Sequence, residues 1–595
     1  MLINKIKVIC LILSITVIPT FNHNAFSFGF PIKKRLIYVS ISGNDQNNGT
    51  AKSPFRTISK AARIAAPGDR IMIASGIYRE SVVIGAGGLN KGTRITFQSA
   101  SAGKVEIKGS ERQVNWVREK NNLWKITLDS GVFKEAVFFN NRKLEQKNSE
   151  RTASATPNSW YMGKKNGKVT IWGNFGSSDP NTNLTETVSR KIGISCAPGI
   201  DFITLKGITI SQIANGPSTI YGEQPGAIET KNGKYWEIVE CSIRDCRSVG
   251  ISIGINGHSY PDASPRKPEF SDFADLGAFG HHTIRNNHIF NCGQAGIFGF
   301  LSGSSSTISD NLIEDVNADG AYDGSESAGI RLALCIDATL THNLIRRIHG
   351  KNGNGIYLGP IFQGTRVSRN IITDTDHACL YLFKNHGPTL FDNNILVGSL
   401  KKGPGGKGID MLACEANVFV QNLFNNCTFV NELQPGKSVS TSNFLPHSLV
   451  IKQTIPALNI DHRWYGNLFI GKGLGLTRYA GAEVDFNGYL AGAIPVDWAD
   501  ANSVRADKMV IPDFHHSEKG LSVLWRNMDI SKLEMPLYDS EYFGFFALSK
   551  QYIETPEGKK LSISKDFFGS TDLRGARIPG PFYHTEKSKK IKVLF

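Results

Sequence analysis

This chain of 595 residues has few charges, only 20% Asp, Glu, Lys and Arg, and beyond its first 28 residues no apolar run approaching the ~20 residues that span a bilayer. A membrane span after that leader is therefore excluded. Its nine cysteines contain no CxxC pair, which argues against a zinc ribbon or a redox motif. Helix-length amphipathic stretches are scarce, because apolar residues alternate over only four to six positions before Gly, Asn or Asp interrupts them. Glycine is plentiful, at 60 residues, but has no period of three, so a collagen-like rod is excluded and a turn-rich β architecture is favoured.

The formal charge of +15 calls for an acidic partner, or for none if the excess is simply solvated. No basic amphipathic helix or nucleic-acid motif is present, so nucleic acid and lipid surfaces are disfavoured and an acidic oligo- or polysaccharide is the best partner. Part of the excess reads as exposed charge, in Lys587 to Lys592 and Lys401 to Lys407. Residues 1–28 read as a secretory signal peptide: Lys5 and Lys7 precede the short apolar run Val8 to Pro19, and Ala25 and Ser27 offer small residues for cleavage. The expected location is secreted or periplasmic.

One phrase recurs between about 199 and 475: hydrophobic, two residues, Asn, one residue, hydrophobic, a polar turn and a Gly-containing strand. Its asparagines, Asn287, Asn311, Asn343, Asn370, Asn394 and Asn422, are spaced 24, 32, 27, 24 and 28 residues apart, one coil of a solenoid. Short strands and the absence of a helix in each copy disfavour leucine-rich repeats. The fold class expected is all-β, a right-handed parallel β-helix with inward Ile, Leu and Val, and with Asn taking left-handed backbone at the turn. Cys241, Cys246, Cys292, Cys335, Cys379, Cys414 and Cys427 fall on apolar beats and read as small buried hydrophobes. Residues 29–109 supply the first coils and an N-terminal capping helix, with Ser53 before Pro54 at the first helical position and Ile58, Ala62 and Ile64 on one face. Residues 110–198 and 476–595 lack the repeat and are expected to form one discontinuous β-sandwich beside the helix of 199–475.

The motifs HTIRNNHIFNCGQAGI, AGIRLALCIDATLTHN, QGTRVSRN, NHGP, FLPHS, DHRWYGNLFIGKG and the ending ETPEGKKL…GPFYHTEKSKKIKVLF, in that order, resemble glycoside hydrolase family 120, whose known members are exo-acting β-xylosidases. The resemblance implies a β-helix with a sugar pocket outside the coils, and a retaining mechanism that needs two carboxylates about 5–5.5 Å apart. Those carboxylates precede the QG of QGTR and the HGP. Here the first position falls on Gly359, and the second on Leu382, Phe383 or Lys384. None is an acid, so the family's own mechanism is expected to be lost.

If Ile251, Ile297, Ile330, Ile356, Leu380 and Ile409 point inward, then Ser252, Phe298, Arg331, Tyr357, Tyr381 and Asp410 form an outward column. Two residues further lie Gly254, Phe300, Ala333, Gly359 and Phe383. Such a column suits β-elimination on a uronic acid, which needs a cation on the carboxylate and a base for the C5 proton. Arg331 or Lys384 could supply the cation; Tyr357, Tyr381 or His386 could supply the base. The resemblance implies that His282, Glu326, His447 and Arg463 lie near this surface, and with Asp410 of the column they are the expected substrate-binding positions. The reaction would be dehydration of a non-reducing terminal uronate or polysaccharide lyase cleavage. A glycoside hydrolase using Glu326 with Asp410, and a non-catalytic glycan-binding protein, are the alternatives. The bland readings are that the tyrosines merely pack and that His386 and His447 brace loops. No cofactor is expected. Calcium at Glu326, Asp410 and Asp461 lacks an Asp-rich cluster at ligand spacing, and the adjacent His281 and His282 of a strand would face opposite ways.

Overall fold

The computed structural model describes residues 34–594 apart from 102, 121, 130–135, 221, 255–279, 302, 399–405, 433–438, 476–479, 499, 507–512, 518–519, 525–532, 572–576 and 584–589. The leader of residues 1–28, Lys401, Lys402 and Lys587 lie outside the described residues.

Three long parallel sheets, of 13, 10 and 13 strands, run the length of the molecule and enclose one apolar column. Successive coils contribute a strand to each of these sheets, except that the last coils add none to the ten-stranded one, and the chain is a right-handed parallel β-helix. The inward residues Ile251, Ile297, Ile330, Ile356, Leu380 and Ile409 stack in consecutive register and are all essentially inaccessible to solvent. The recurrent glycine before each inward Ile has a packing cause: a Cβ on Gly355 would lie 2.2 Å from Ile372 Cγ2 and 2.6 Å from the Cys379 carbonyl. All eight described cysteines are free and buried.

The repeated asparagines form a buried ladder. The backbone N–H and the Nδ2 of Asn343 both donate to Oδ1 of Asn370, at 3.0 and 2.9 Å, and Asn370 does the same to Asn394. Each Nδ2 also donates to a main-chain carbonyl of a preceding coil, Asn370 to Leu340 at 2.9 Å. The ladder continues through Asn467 to Asn487. The left-handed residue is the one before each ladder asparagine: Asp310, His342, Arg369 and Asn393 have φ of 56°, 55°, 54° and 55°. The expectation that the repeated Asn itself takes that conformation is corrected, because its side chain is spent on satisfying buried backbone groups. Replacing Asn370 with Ala would strand polar groups on three coils, and a loss of about 2–4 kcal/mol is expected in denaturant unfolding.

The N-terminal cap is a helix over Ile58–Ile64 rather than one starting at Pro54. Thr57 is its N-cap, accepting from Lys60 N–H at 3.1 Å. The amides of Arg56 and Thr57 are taken by Asp45, and those of Ile58 and Ser59 by Glu80, so the helix has no need of Ser53. Ile58, Ala61 and Ala62 face the first coils.

Residues 110–188 build two small sheets of four and five strands, largely antiparallel, around Trp116, Trp160, Ile171 and Phe175. The C-terminal region differs from expectation. Its first part continues the helix, through the strands Glu483–Asp485, Gly488–Leu490 and Val504–Ala506. Its later part sheathes the coils: Phe567, Ile578 and Phe582 pack on Leu344, Ile371 and Ile395, while Tyr538, Phe543 and Ile553 pack on Leu390, Val418 and Tyr465. Among the described residues no strand of 476–595 pairs with one of 110–198.

Candidate functional site

The middle sheet carries the outward column in the expected register, Ser252, Phe298, Arg331, Tyr357, Tyr381 and Asp410 facing one another strand by strand. The column is not open along its length. Phe298 is fully buried against Val249 and Ala295, with Ile220 packed on it from a segment that folds back over the coils. Arg331 is fully buried too.

Arg331 is clamped from several sides. Its Nε donates to the Glu326 carboxylate, and its Nη1 donates to the carbonyls of Leu332, at 3.0 Å, and Gly359. Its guanidinium lies 3.5 Å from the centroid of the Tyr357 ring. Arg331 therefore fixes the Tyr357 ring and the backbone at Gly359. Glu326 is the counter-ion of that arrangement.

Beyond Arg331 the face opens into a cleft of about 240 Å³ lined by Ser325, Asn352, Asn354, Tyr357, His377, Tyr381, Lys407, Asp410 and Leu412. Its size suits one or two sugar rings. Tyr357 and Tyr381 meet with ring centroids 4.6 Å apart and planes tilted by 59°. The Tyr381 hydroxyl makes no hydrogen bond to a described residue, and burial, with Tyr357 and Asp410 nearby, pushes its pKa up, so it is a protonated phenol at neutral pH. His377 Nδ1 lies 2.8 Å from Asn354 Oδ1. Asn354 Nδ2 is itself committed to the Asn352 carbonyl at 2.8 Å, which orients the amide so that Oδ1 accepts the Nδ1–H of His377. The His377 Nε2 then faces the cleft, 3.2 Å from Asp410 Oδ2. Lys407 Nζ lies 2.6 Å from the same oxygen. Burial raises the Asp410 pKa, but His377 and Lys407 outweigh it and hold the carboxyl below its usual range.

His377 and Lys407 were not singled out in the sequence, and Lys407 was read as part of a solvated lysine run. Asn354, Ala378 and Lys407 are register partners, so counting three residues back from each outward Tyr or Asp reaches Asn354 and Lys407, whereas His377 stands one residue before that row.

The structure does not bring the other candidates to the cleft. His386 is buried, with Nδ1 2.5 Å from Glu415 and Nε2 3.1 Å from the Thr441 carbonyl, so that it ties the coil to the arm of Val439–Phe444 and Ile451–Ala457. His282 is buried at a turn and accepts the Trp236 N–H at 3.2 Å, with burial lowering its pKa to about 3. Arg463 pairs with Asp461 at 3.0 Å and covers the Phe546 ring. Lys384 does not line the cleft; its ammonium lies 4.9 Å from the Phe383 ring centroid. Among the described residues, no group of three or more His, Cys, Asp or Glu is arranged to hold a metal ion.

His447 joins the coils to the C-terminal sheath, with Nδ1 3.0 Å from Asp337 and Nε2 3.1 Å from Glu554. The Asp337 hydrogen bond, with help from Glu554, raises its pKa to about 9. Because the folded pKa exceeds the unfolded value of about 6.5, its contribution to stability is full below pH ~6.5 and is lost as pH rises through ~9. Wild-type protein should therefore lose thermal stability over that window relative to His447→Gln, and parallel pH profiles of the two melting temperatures would refute this.

At the first position implied by the family resemblance, Gly359 has φ of 126°, and a Cβ there would lie 2.0 Å from the Phe383 carbonyl oxygen. That site lacks space for an acid side chain as well as lacking the acid.

A family model described as a right handed beta helix region matches residues 226–358 and 300–462, and a model described as a protein of unknown function (DUF1565) matches residues 41–83. An uncharacterized protein of Bacillus subtilis (strain 168), YwoF, is 41% identical over 73 residues, which are 12% of this chain and 15% of that protein. The structure of XylC in complex with xylose is similar over 94% of this chain and 100% of its own, at 25% identity and a TM-score of 0.81. A structure described as a glycoside hydrolase covers 67% of this chain and 94% of its own, at 12% identity and a TM-score of 0.52.

Proposed function

We propose that this protein is an exported carbohydrate-active enzyme, a carbon–oxygen lyase that removes the C4 substituent of a uronic acid by β-elimination. The similarity to XylC, solved with xylose, supports a sugar as the ligand. The observation that carries the reaction class is the cleft itself: an ammonium, an imidazole and a protonated phenol converge on a space of sugar size, and the Gly359 position has no room for a nucleophile.

The roles follow from the geometry. Lys407 exchanges part of its contact with Asp410 for the substrate carboxylate and neutralises it, which acidifies the C5 proton and favours the enolate-like transition state. His377 acts in the neutral tautomer that Asn354 fixes, with its one proton on Nδ1; its Nε2 exchanges the Asp410 carboxylate for the substrate and takes the C5 proton. The electron pair forms the C4–C5 double bond as the C4–O bond breaks, and the Tyr381 hydroxyl gives its proton to the departing oxygen. A terminal uronate with a free 4-hydroxyl would lose water; an internal one would lose the glycan chain attached at C4. Arg331, one of the two cations that the sequence offered, acts by positioning Tyr357.

A hydrolase is the second reading, favoured by the nature of XylC's ligand. It would need Glu326 and Asp410 to work as a pair. The strands bearing Arg331, which holds Glu326, and Asp410 lie three register steps apart, roughly 14 Å, whereas glycosidase pairs lie about 5–10 Å apart. Both carboxylates are also engaged in ion pairs.

The deciding experiment incubates the purified chain with oligouronates and reads absorbance near ~235 nm together with product mass. A conjugated product, formed with loss of one water or a cleaved chain, is expected. Release of intact monosaccharide without a new double bond would establish the hydrolase instead, and binding without product would leave a glycan-binding protein.

A further inference from the structure

The cleft does not end at Tyr381. Two residues further along the same strand, and therefore on the same outward face, stands Phe383, roughly 7 Å away along the strand. Its ring lies nearly parallel to that of Tyr381, at 11°, with centroids 6.3 Å apart. Phe383 is half-buried, so part of its ring faces solvent beside the opening. Its register partner on the next coil is Leu412, which lines the cleft, so floor and ledge are continuous. Lys384 takes a left-handed conformation, with φ of 57°, where the strand turns. That turn carries its ammonium back over the Phe383 ring. The chain thus places an apolar face and a cation one sugar unit beyond the reacting groups, along the strand rather than along the helix axis.

We propose that Phe383 and Lys384 form a second subsite, which binds the neighbouring uronate of an oligosaccharide: the ring packs under its apolar C–H face and the ammonium meets its carboxylate. The substrate would then lie along the coil, with its second unit toward the arm of Val439–Phe444 and Ile451–Ala457, which packs against the same strand. This inference rests on the reading of the cleft as a uronate site, and deepens it from a single acid sugar to an oligomer of at least two.

The test is binding calorimetry with a uronate series from monomer to tetramer, on the full chain and on the variants Phe383→Ala, Phe383→Leu and Lys384→Gln. Wild-type affinity should rise about tenfold from monomer to dimer and little thereafter. Phe383→Ala should abolish most of that step and leave monomer affinity unchanged, whereas Phe383→Leu, which keeps apolar bulk, should retain about half of it. Lys384→Gln should reduce the step and its dependence on salt. A wild-type series without the step, or a step untouched by Phe383→Ala, would overturn the subsite. Binding needs no turnover, so the two readings fail separately. Elimination with a step insensitive to these variants removes the subsite alone. A variant-sensitive step without any conjugated product removes the lyase chemistry alone.

Discussion

Replacing Tyr381 with Phe, or His377 with Ala, is expected to lower kcat/KM for uronate elimination by about 10²–10⁴ while leaving the fold intact. The tyrosine variant is the sharper of the two. It removes one oxygen that makes no hydrogen bond to a described residue and keeps the ring that meets Tyr357, so stability should change by less than about 0.5 kcal/mol. If Tyr381 only packs, the rate survives. His377→Ala also frees Asn354 and leaves Asp410 to Lys407 alone, so its melting temperature must be measured beside its rate. Lys407→Met should act on both constants, raising KM because the ammonium meets a carboxylate already present in the ground state and lowering kcat because it also stabilises the charge that develops as the C5 proton leaves. A Tyr381→Phe enzyme with wild-type turnover would remove the proposed acid, and equal rates on a uronate and on its neutral methyl ester would remove the need for a cation.

The column that frames this site was legible from the sequence because two periodicities coincide in a β-helix. Strands alternate every second residue, and coils stack in register, so the inward Ile of each copy fixes the direction of its successor. Ser252 through Asp410 fall where that counting puts them. What counting could not show is which part of the column stays open. Phe298 is covered by Ile220, about eighty residues earlier in the chain, in a connection between two strands of an earlier coil. Arg331 is hidden by its own clamp with Glu326 and Gly359. The catalytic candidates that were missed stand at strand starts, where the alternating pattern has no purchase: His377 directly precedes Ala378–Asn385, and Lys407 opens Lys407–Cys414. Conversely, His386 carried a family motif but serves the fold, because a turn buried under an added arm needs its backbone groups satisfied.

Introducing an acid at the position where the resembled family keeps one, Gly359→Asp, is expected to destabilise the protein by more than about 4 kcal/mol and to create no glycosidase. Two obstacles add. The backbone there has φ of 126°, a conformation L side chains rarely adopt, and the new Cβ would lie 2.0 Å from the Phe383 carbonyl oxygen and 2.8 Å from its carbon. These are main-chain atoms of the adjoining coil, so relief requires the coils to part. Parting them also moves the Gly359 carbonyl away from Arg331 Nη1, and loosens a buried guanidinium whose Nη2 has no hydrogen-bond partner among the described residues. Disturbing a buried charge in this way is costly, about 3–5 kcal/mol when a partner is lost outright. The absence of an acid at this position is therefore matched by the backbone: the strands around Gly359 leave no space for a longer side chain, and one change of residue does not provide it. Denaturant unfolding of Gly359→Asp, with Gly359→Ala to separate the Cβ clash from the charge, checks the cost. A well-folded Gly359→Asp protein that releases xylose from a xyloside would show that the space remains available and that the chain is a hydrolase one substitution from activity.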